Sequence, residues 1–215
     1  MSPSMLPHER AIPPVVTIFE AYGSGAEEVG PRVAEKLGVA FHAQAFSSDQ
    51  LEQSPQERED EGLLSRVLLA MGGSYAALEG PAVAMMQRDD HELVLRNNQW
   101  VTDAAREGGV IVGRNGALIL ADRPGALHIR LDAPMQWRVD RAARSGGITP
   151  DRAAKRQRRE DDLRADMSIR LYGWDPRDPT RYDLVLNTGL LGVDACVDII
   201  MHASRVKAAR VTPAT

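Results

Sequence analysis

VVTIFEAYGSGAEEVGPRVAEKLG, residues 15–38, is the stretch whose reading decides the fold. It opens on a run rich in β-branched residues, Val15, Val16, Thr17, Ile18 and Phe19, which predicts a buried strand. A glycine turn follows, Gly23-Ser24-Gly25. Two acids, Glu27 and Glu28, then lead an amphipathic run through Val29, Val33, Ala34 and Leu37 that stops at Gly38. Strand, glycine turn and helix together present backbone N–H groups to an anion, most often a phosphate. The same glycines also suit a tight turn that serves packing alone. Neither standard phosphate fingerprint is complete. The third glycine of G-x-G-x-x-G is replaced by Glu28, and the Gly25 to Gly30 spacing is followed by Pro31 and Arg32, where G-x-x-x-x-G-K-[ST] requires Lys and Ser or Thr.

Outward from this unit, apolar strands alternate with helical patterns. Short strands are expected at 39–41, 110–112, 126–131 and 182–186. Helices are expected at 89–106, after Pro134, at 149–172 and at 193–206. Thr149-Pro150-Asp151 is a strong helix start, with a cap, a proline in the first turn and an acid behind it. Ser47 or Ser48 is a candidate cap, 52–61 is strongly charged, and 62–71 is apolar. The alternation predicts an α/β fold with a central parallel sheet wrapped by helices. We expect one domain over 15–207, with a helical insert at about 45–105, a lid at about 146–180, and tails at 1–14 and 208–215.

Composition narrows the function. With 43% hydrophobic and only 5% aromatic residues among 215, the core is aliphatic. A net charge of −4 offers no general attraction to nucleic acid or to an anionic membrane. Cys196 is the only cysteine, so neither an internal disulfide nor a cysteine-based zinc site can form. The five histidines show no HxxxH or HExxH pair, and no metal site is expected. No apolar run reaches the roughly 20 residues that cross a bilayer, and the first 14 residues lack a signal-peptide core. The expectation is a soluble, cytoplasmic protein.

Two further places carry chemistry. Gly113-Arg114-Asn115-Gly116 follows the strand at 110–112, at the sheet edge where open parallel sheets bind ligands. An arginine there holds a phosphate or carboxylate through two parallel hydrogen bonds, or else pairs with a surface acid. The helix at 149–172 carries Arg152, Lys155, Arg156, Arg158, Arg159, Arg164 and Arg170 among Glu160, Asp161, Asp162 and Asp166. It reads either as a solvated, salt-bridged helix or as a lid whose arginines close over transferring phosphates.

Together these stretches resemble the cytidylate kinase-like family of P-loop nucleoside monophosphate kinases. The family start I-T-I-x-x-x-Y-G-S-G-G-R-x-I/V-G corresponds to residues 16–30. Its V-I-V-G-R-G corresponds to 110–116, its A-P helix start to Ala133 and Pro134, and its D-x-x-R to Asp161 and Arg164. Its W…Y-D-L-x-x-N-T corresponds to Trp174, Tyr182, Asp183, Leu184, Asn187 and Thr188. The resemblance implies a three-layer P-loop kinase fold and ATP-dependent phosphoryl transfer, with Mg2+, to CMP or dCMP. It implies donor-phosphate contacts at Gly23, Ser24, Gly25, Ala26 and Glu27, with Ser24 or a neighbour near Mg2+. Arg156 and Asp161 join the nucleotide site, Arg114 takes the acceptor phosphate, and Arg159 and Arg164 come from the lid. A nucleotide is the expected partner, DNA, RNA and membranes are not, and a homodimer is possible. A kinase-like protein without catalysis, acting in regulation, nucleotide sensing or protein interaction, is the other expectation.

The chain departs from that pattern at the chemistry. Ala26 replaces the last loop glycine, Glu27 the basic residue after it, Glu20 an upstream arginine, and Ala43 an acid after the second strand. Glu27 at 4 Å from a donor phosphate would repel it by roughly 4 kcal/mol at an effective dielectric near 20.

Overall fold

A computed structural model describes residues 12–45, 48–49 and 81–211, with the backbone alone over 81–89. Five parallel strands form one sheet: β1 (Val15–Glu20), β2 (Ala40–His42), β3 (Gly109–Val112), β4 (Leu127–Asp132) and β5 (Leu184–Asn187). Their order is β2-β3-β1-β4-β5, so β1 is central, with Thr17 opposite Ile111 on one side and His128 on the other.

Strand residues point alternately to the two faces, and each face is covered. Val16, Ile18, Val110, Val112, Ile129 and Leu131 share a core with Val29 and Val33 of α1 (Ala26–Leu37) and Val197 and Ile200 of the C-terminal helix. Val15 and Ile111 face the other way, onto Val101 and Ala105 of α2 (Pro81–Arg106) and Leu120. The expected three-layer α/β arrangement with a parallel sheet is therefore present. The described chain also contains α3 (Gly116–Ile119), α4 (Met135–Gly146), α5 (Pro150–Tyr172), a 3-10 turn (Pro179–Arg181), α6 (Thr188–Leu191) and α7 (Val193–Ala209). No helix among the described residues is long and apolar enough to cross a membrane.

Several boundaries differ from the sequence expectation. The helix expected from residue 89 begins at Pro81, because alanines and methionines carry it upstream of the acidic pair and proline fits a first turn. The chain passes from β5 straight into α6, capped by the Asn187 side chain accepting from the Leu190 N–H. The strand expected from 182 starts at Leu184. Tyr182 is drawn away to donate its hydroxyl to the Pro176 carbonyl, and the Asp183 carboxylate accepts from the His128 N–H. The expectations for 50–80, and most of the insert, lie outside the described residues.

Parallel order brings the loops after β1, β3 and β4 to one sheet edge. Helices α4 and α5 pack together over that edge through Val139, Ala142, Ala143 and Ala153, with Tyr22 of the first loop beneath them.

Candidate active site

The loop after β1 is held almost entirely by its own protein. Gly23 sits at φ 78°, and a Cβ there would lie 2.5 Å from the Arg138 carbonyl oxygen, so only glycine lets α4 close this near. The Tyr22 N–H donates to Asp161 Oδ1 at 2.7 Å. The Ser24 hydroxyl, fully buried, donates to the Leu131 carbonyl at 3.0 Å, and its N–H donates to Ala21. The Ala26 N–H donates to Glu20 Oε2 at 2.9 Å. The N–H groups of Gly25 and Glu27 have no partner among the described residues.

Glu20 ends β1 beneath this loop. Its other carboxylate oxygen accepts from Gln44 Nε2 at 2.9 Å, and Arg164 Nη1 stands 3.9 Å from it. The side chain is 11% exposed. Burial pushes its carboxyl up to about 7, against the pull of Arg164 and with a smaller push from Glu27.

The two acids after the loop are neutralised from α4. Arg141 forks between them, Nη1 to Glu27 at 2.5 Å and Nη2 to Glu28 at 2.6 Å. Arg141 is 8% exposed, while both glutamates are 53% exposed. Burial opposes the Arg141 charge, but the Glu27 bond and the nearby carboxylates outweigh it and hold its pKa above the ordinary value. The guanidinium lies against Gly25, where an added Cβ would be 3.3 Å from its central carbon. The charge absent from the loop itself is thus supplied 114 residues downstream.

Helix α5 divides its charges by face. Arg156, Glu160, Arg164 and Ser168 recur every four residues and form an inward stripe, with Gln157, Asp161 and Ala165 beside it. Lys155, Arg158 and Arg159 are exposed. Arg164 donates to the Glu20 carbonyl and to Glu160 Oε2, the latter at 2.7 Å. Glu160 is 2% exposed, and burial raises its carboxyl pKa against Arg164 and Arg156. Arg156 donates to Asp49 at 2.5 Å. Asp161 accepts from Tyr22, Arg138 and Gln157, which ties α5 and α4 to the first loop.

The loop after β3 differs in kind. Gly113, Arg114 and Asn115 all have left-handed backbones, at φ 71°, 56° and 56°. Two consecutive non-glycine residues in that region store strain, which surrounding contacts must hold. Asn97 of α2 donates one amide hydrogen to the Arg114 carbonyl and the other to the Tyr172 hydroxyl, both at 2.8 Å. Trp174 Nε1 donates to Asn115 Oδ1 at 2.8 Å. The Arg114 guanidinium stacks on Trp100, 3.9 Å from the ring centroid, and its Nε is buried with no hydrogen-bond partner among the described residues. It has no carboxylate partner among the described residues. Burial lowers its pKa, yet an arginine stays charged.

Two cavities meet at Glu20, Gln44 and Arg164. The larger, about 450 Å3, lies over the first loop and is also lined by Gly23, Ala26, Glu27 and Arg156. The smaller, about 170 Å3, is lined by Arg114, Asn97 and Asn115 at its polar end and by Leu93, Leu163 and Met167 at its apolar end. Of the expected site residues, Gly23, Ala26, Glu27, Arg156, Arg164 and Arg114 line these cavities. Ser24, Gly25, Asp161 and Arg159 line neither. Ser24 and Asp161 are bonded within the scaffold, and Arg159 is exposed. Ser24 is fully buried and lines neither cavity, so its oxygen does not face the space expected to hold Mg2+. No group of three or more His, Cys, Asp or Glu among the described residues is arranged to hold a metal. Arg141 and Asn97 were not singled out from the sequence. The visible signal for Arg141 was the Arg138/Arg141 pair in the first turns of the helix after β4, opposite two unpaired acids.

A protein called uronate isomerase from Corynebacterium glutamicum is 39% identical to this chain over 111 residues. That match covers 52% of this chain and 21% of the relative, so the chain spans about a fifth of that protein. The cytidylate kinase of Ignicoccus hospitalis is 27% identical over 86% of this chain and 96% of its own length. An uncharacterised protein from Eubacterium ventriosum has the same fold, with a TM-score of 0.63, 19% identity, and coverage of 90% of this chain and 98% of that one. The model of the cytidylate kinase-like family matches residues 15–190, and the chain belongs to that family.

Proposed function

We propose that this protein transfers a phosphoryl group from ATP to a small phosphorylated acceptor, with a nucleoside monophosphate such as CMP or dCMP as the first candidate. Arg114 carries this reading. It is a guanidinium stacked on Trp100 and lining a cavity at the carboxyl edge of β3, with a buried Nε that has no partner among the described residues. A phosphate or carboxylate satisfies such a group. Donor phosphates take the larger cavity, where the Glu27 amide remains available and Arg156 contributes charge. Arg164 lines both cavities and stabilises charge passing between them. The chemistry asked of these residues is positioning and charge stabilisation.

A second reading, a kinase-like protein that binds nucleotide weakly or not at all and acts through other proteins, is favoured by one observation. The Tyr22, Ser24 and Ala26 amides and the Ser24 hydroxyl are all taken by the protein itself.

Mg·ATP with CMP, dCMP and a hexuronate separates these readings in a coupled ADP-release assay with parallel calorimetry. The hexuronate is included because of the relative's name and because Arg114 accepts a carboxylate. Turnover with one acceptor, lost in Arg114→Ala, supports the kinase. Absence of heat and of turnover with every ligand at millimolar concentration overturns it in favour of the second reading.

A further inference from the structure

We propose that Glu20 is an internal anion occupying the phosphate seat of the glycine loop, and that a nucleotide phosphate binds there only as Glu20 takes up a proton. The inference rests on reading that loop as the donor site. Its geometric basis is direct. The Ala26 N–H opens α1 and is the kind of donor that a strand–loop–helix offers to phosphate. Here it is given to Glu20 Oε2 at 2.9 Å, and Gln44 holds the other oxygen. The carboxylate lines both cavities, so it faces the space a transferring group must cross.

The charges around it come from every packed element. Glu27 on α1 and Glu160 on α5 oppose its ionisation, and Arg164 on α5 favours it. Arg141 on α4 feels its charge, Arg156 on α5 lines the same larger cavity, and Arg114 lines the smaller one. Burial weighs most in this balance and brings the carboxyl to about 7. Arg164 and Arg141 are already shared with Glu160, Glu27 and Glu28. A phosphate beside an ionised Glu20 therefore meets an anion whose countercharges are committed. Protonated, Glu20 carries no charge against the phosphate and is a weaker acceptor for the Ala26 N–H. Linkage makes the effect reciprocal: phosphate at the loop raises the Glu20 pKa, and protonation of Glu20 raises phosphate affinity.

The test is Mg·ATP affinity by calorimetry from pH 6 to 8.5, for the native protein and Glu20→Gln. The native protein should lose about tenfold in affinity per pH unit above 7, one proton being taken up per nucleotide. Glu20→Gln should bind at pH 8 at least as tightly as the native protein at pH 6 and show no such slope, which also removes any contribution from titration of the nucleotide. In the native protein the Ala26 amide resonance should titrate near pH 7 without ligand. The proposal is overturned, with the kinase reading intact, if both proteins bind Mg·ATP with the same pH dependence or if the Ala26 amide is flat from pH 5 to 9. It is overturned alone if Glu20→Gln binds no Mg·ATP while the native protein does, and together with that reading if neither protein binds Mg·ATP at any pH.

Discussion

The loops after β1 and β3 stand at the same sheet edge, within reach of the same helix, and are opposites. The first has the glycines and helix start of a phosphate cradle, yet Glu20, Asp161 and the Leu131 carbonyl take most of its donors. The second has one glycine and two strained residues, yet it presents a guanidinium with no carboxylate partner among the described residues. The contrast teaches that an anion site is defined by which donors are left over after folding. A loop with the right shape is closed when its neighbours bring acids, and a turn becomes a site when its arginine is held through its carbonyl and by ring stacking.

The hardest test of this contrast is steric. Gly23→Ala places a methyl group on the Arg138 carbonyl and forces alanine into a left-handed backbone. It should cost about 3–4 kcal/mol in urea unfolding, overpacking and backbone strain adding. A cost under about 1 kcal/mol would mean that α4 does not clamp the first loop.

Glu20→Gln should be the next largest effect, with the opposite sign. A carboxyl raised from 4.5 to about 7 in the folded state binds more protons folded than unfolded between those values. Its stabilisation is complete below the unfolded value and is lost as pH rises through 7. The glutamine variant should therefore be more stable than the native protein by about 3 kcal/mol at pH 8.5 and nearly equal to it at pH 4.5. Equal stability at both pH values would place Glu20 among ordinary ionised carboxylates and dissolve half of the comparison.

Arg114→Ala tests the open loop. It should weaken acceptor binding or turnover by about 100-fold, which corresponds to losing one charged, bidentate contact. Thermal unfolding should change little, because the Asn97 and Trp174 bonds to this turn involve the Arg114 carbonyl and the Asn115 side chain. A fall in stability without a change in acceptor binding would make Arg114 a packing residue on Trp100.

The smallest effect sharpens the two faces of α5. Arg159→Ala, on the exposed face, should shift unfolding free energy by less than about 0.5 kcal/mol. Arg156→Ala and Arg164→Ala remove buried countercharges and should each cost more than that.

Much of this was legible in the chain itself. The β-branched run and glycine turn at 15–25 act within a few residues, so the strand, loop and α1 follow from local sterics and periodicity. The cap at Thr149 is local in the same way. The four-residue recurrence of Arg156, Glu160 and Arg164 was also present, but charge alone does not say which face of a helix is buried. Arg159 and Arg164 therefore looked equivalent until α5 was seated. Asp161 looked like a ligand-binding acid because its bond to the Tyr22 N–H spans 139 positions and leaves no local trace.

Sequence by itself determined the parallel α/β architecture, the places where the sheet edge gathers glycines and arginines, and the excess of acid around the first loop. Tertiary structure decided which charges meet. Arg141 answers Glu27 and Glu28, Arg164 leans on Glu20, and Arg114 is left without an acid among the described residues. The physical reason is distance. Strand and helix preferences act over a few residues of chain, whereas an ion pair or hydrogen bond acts over a few ångströms of space. Only the packing of α4 and α5 over the strand ends sets those distances.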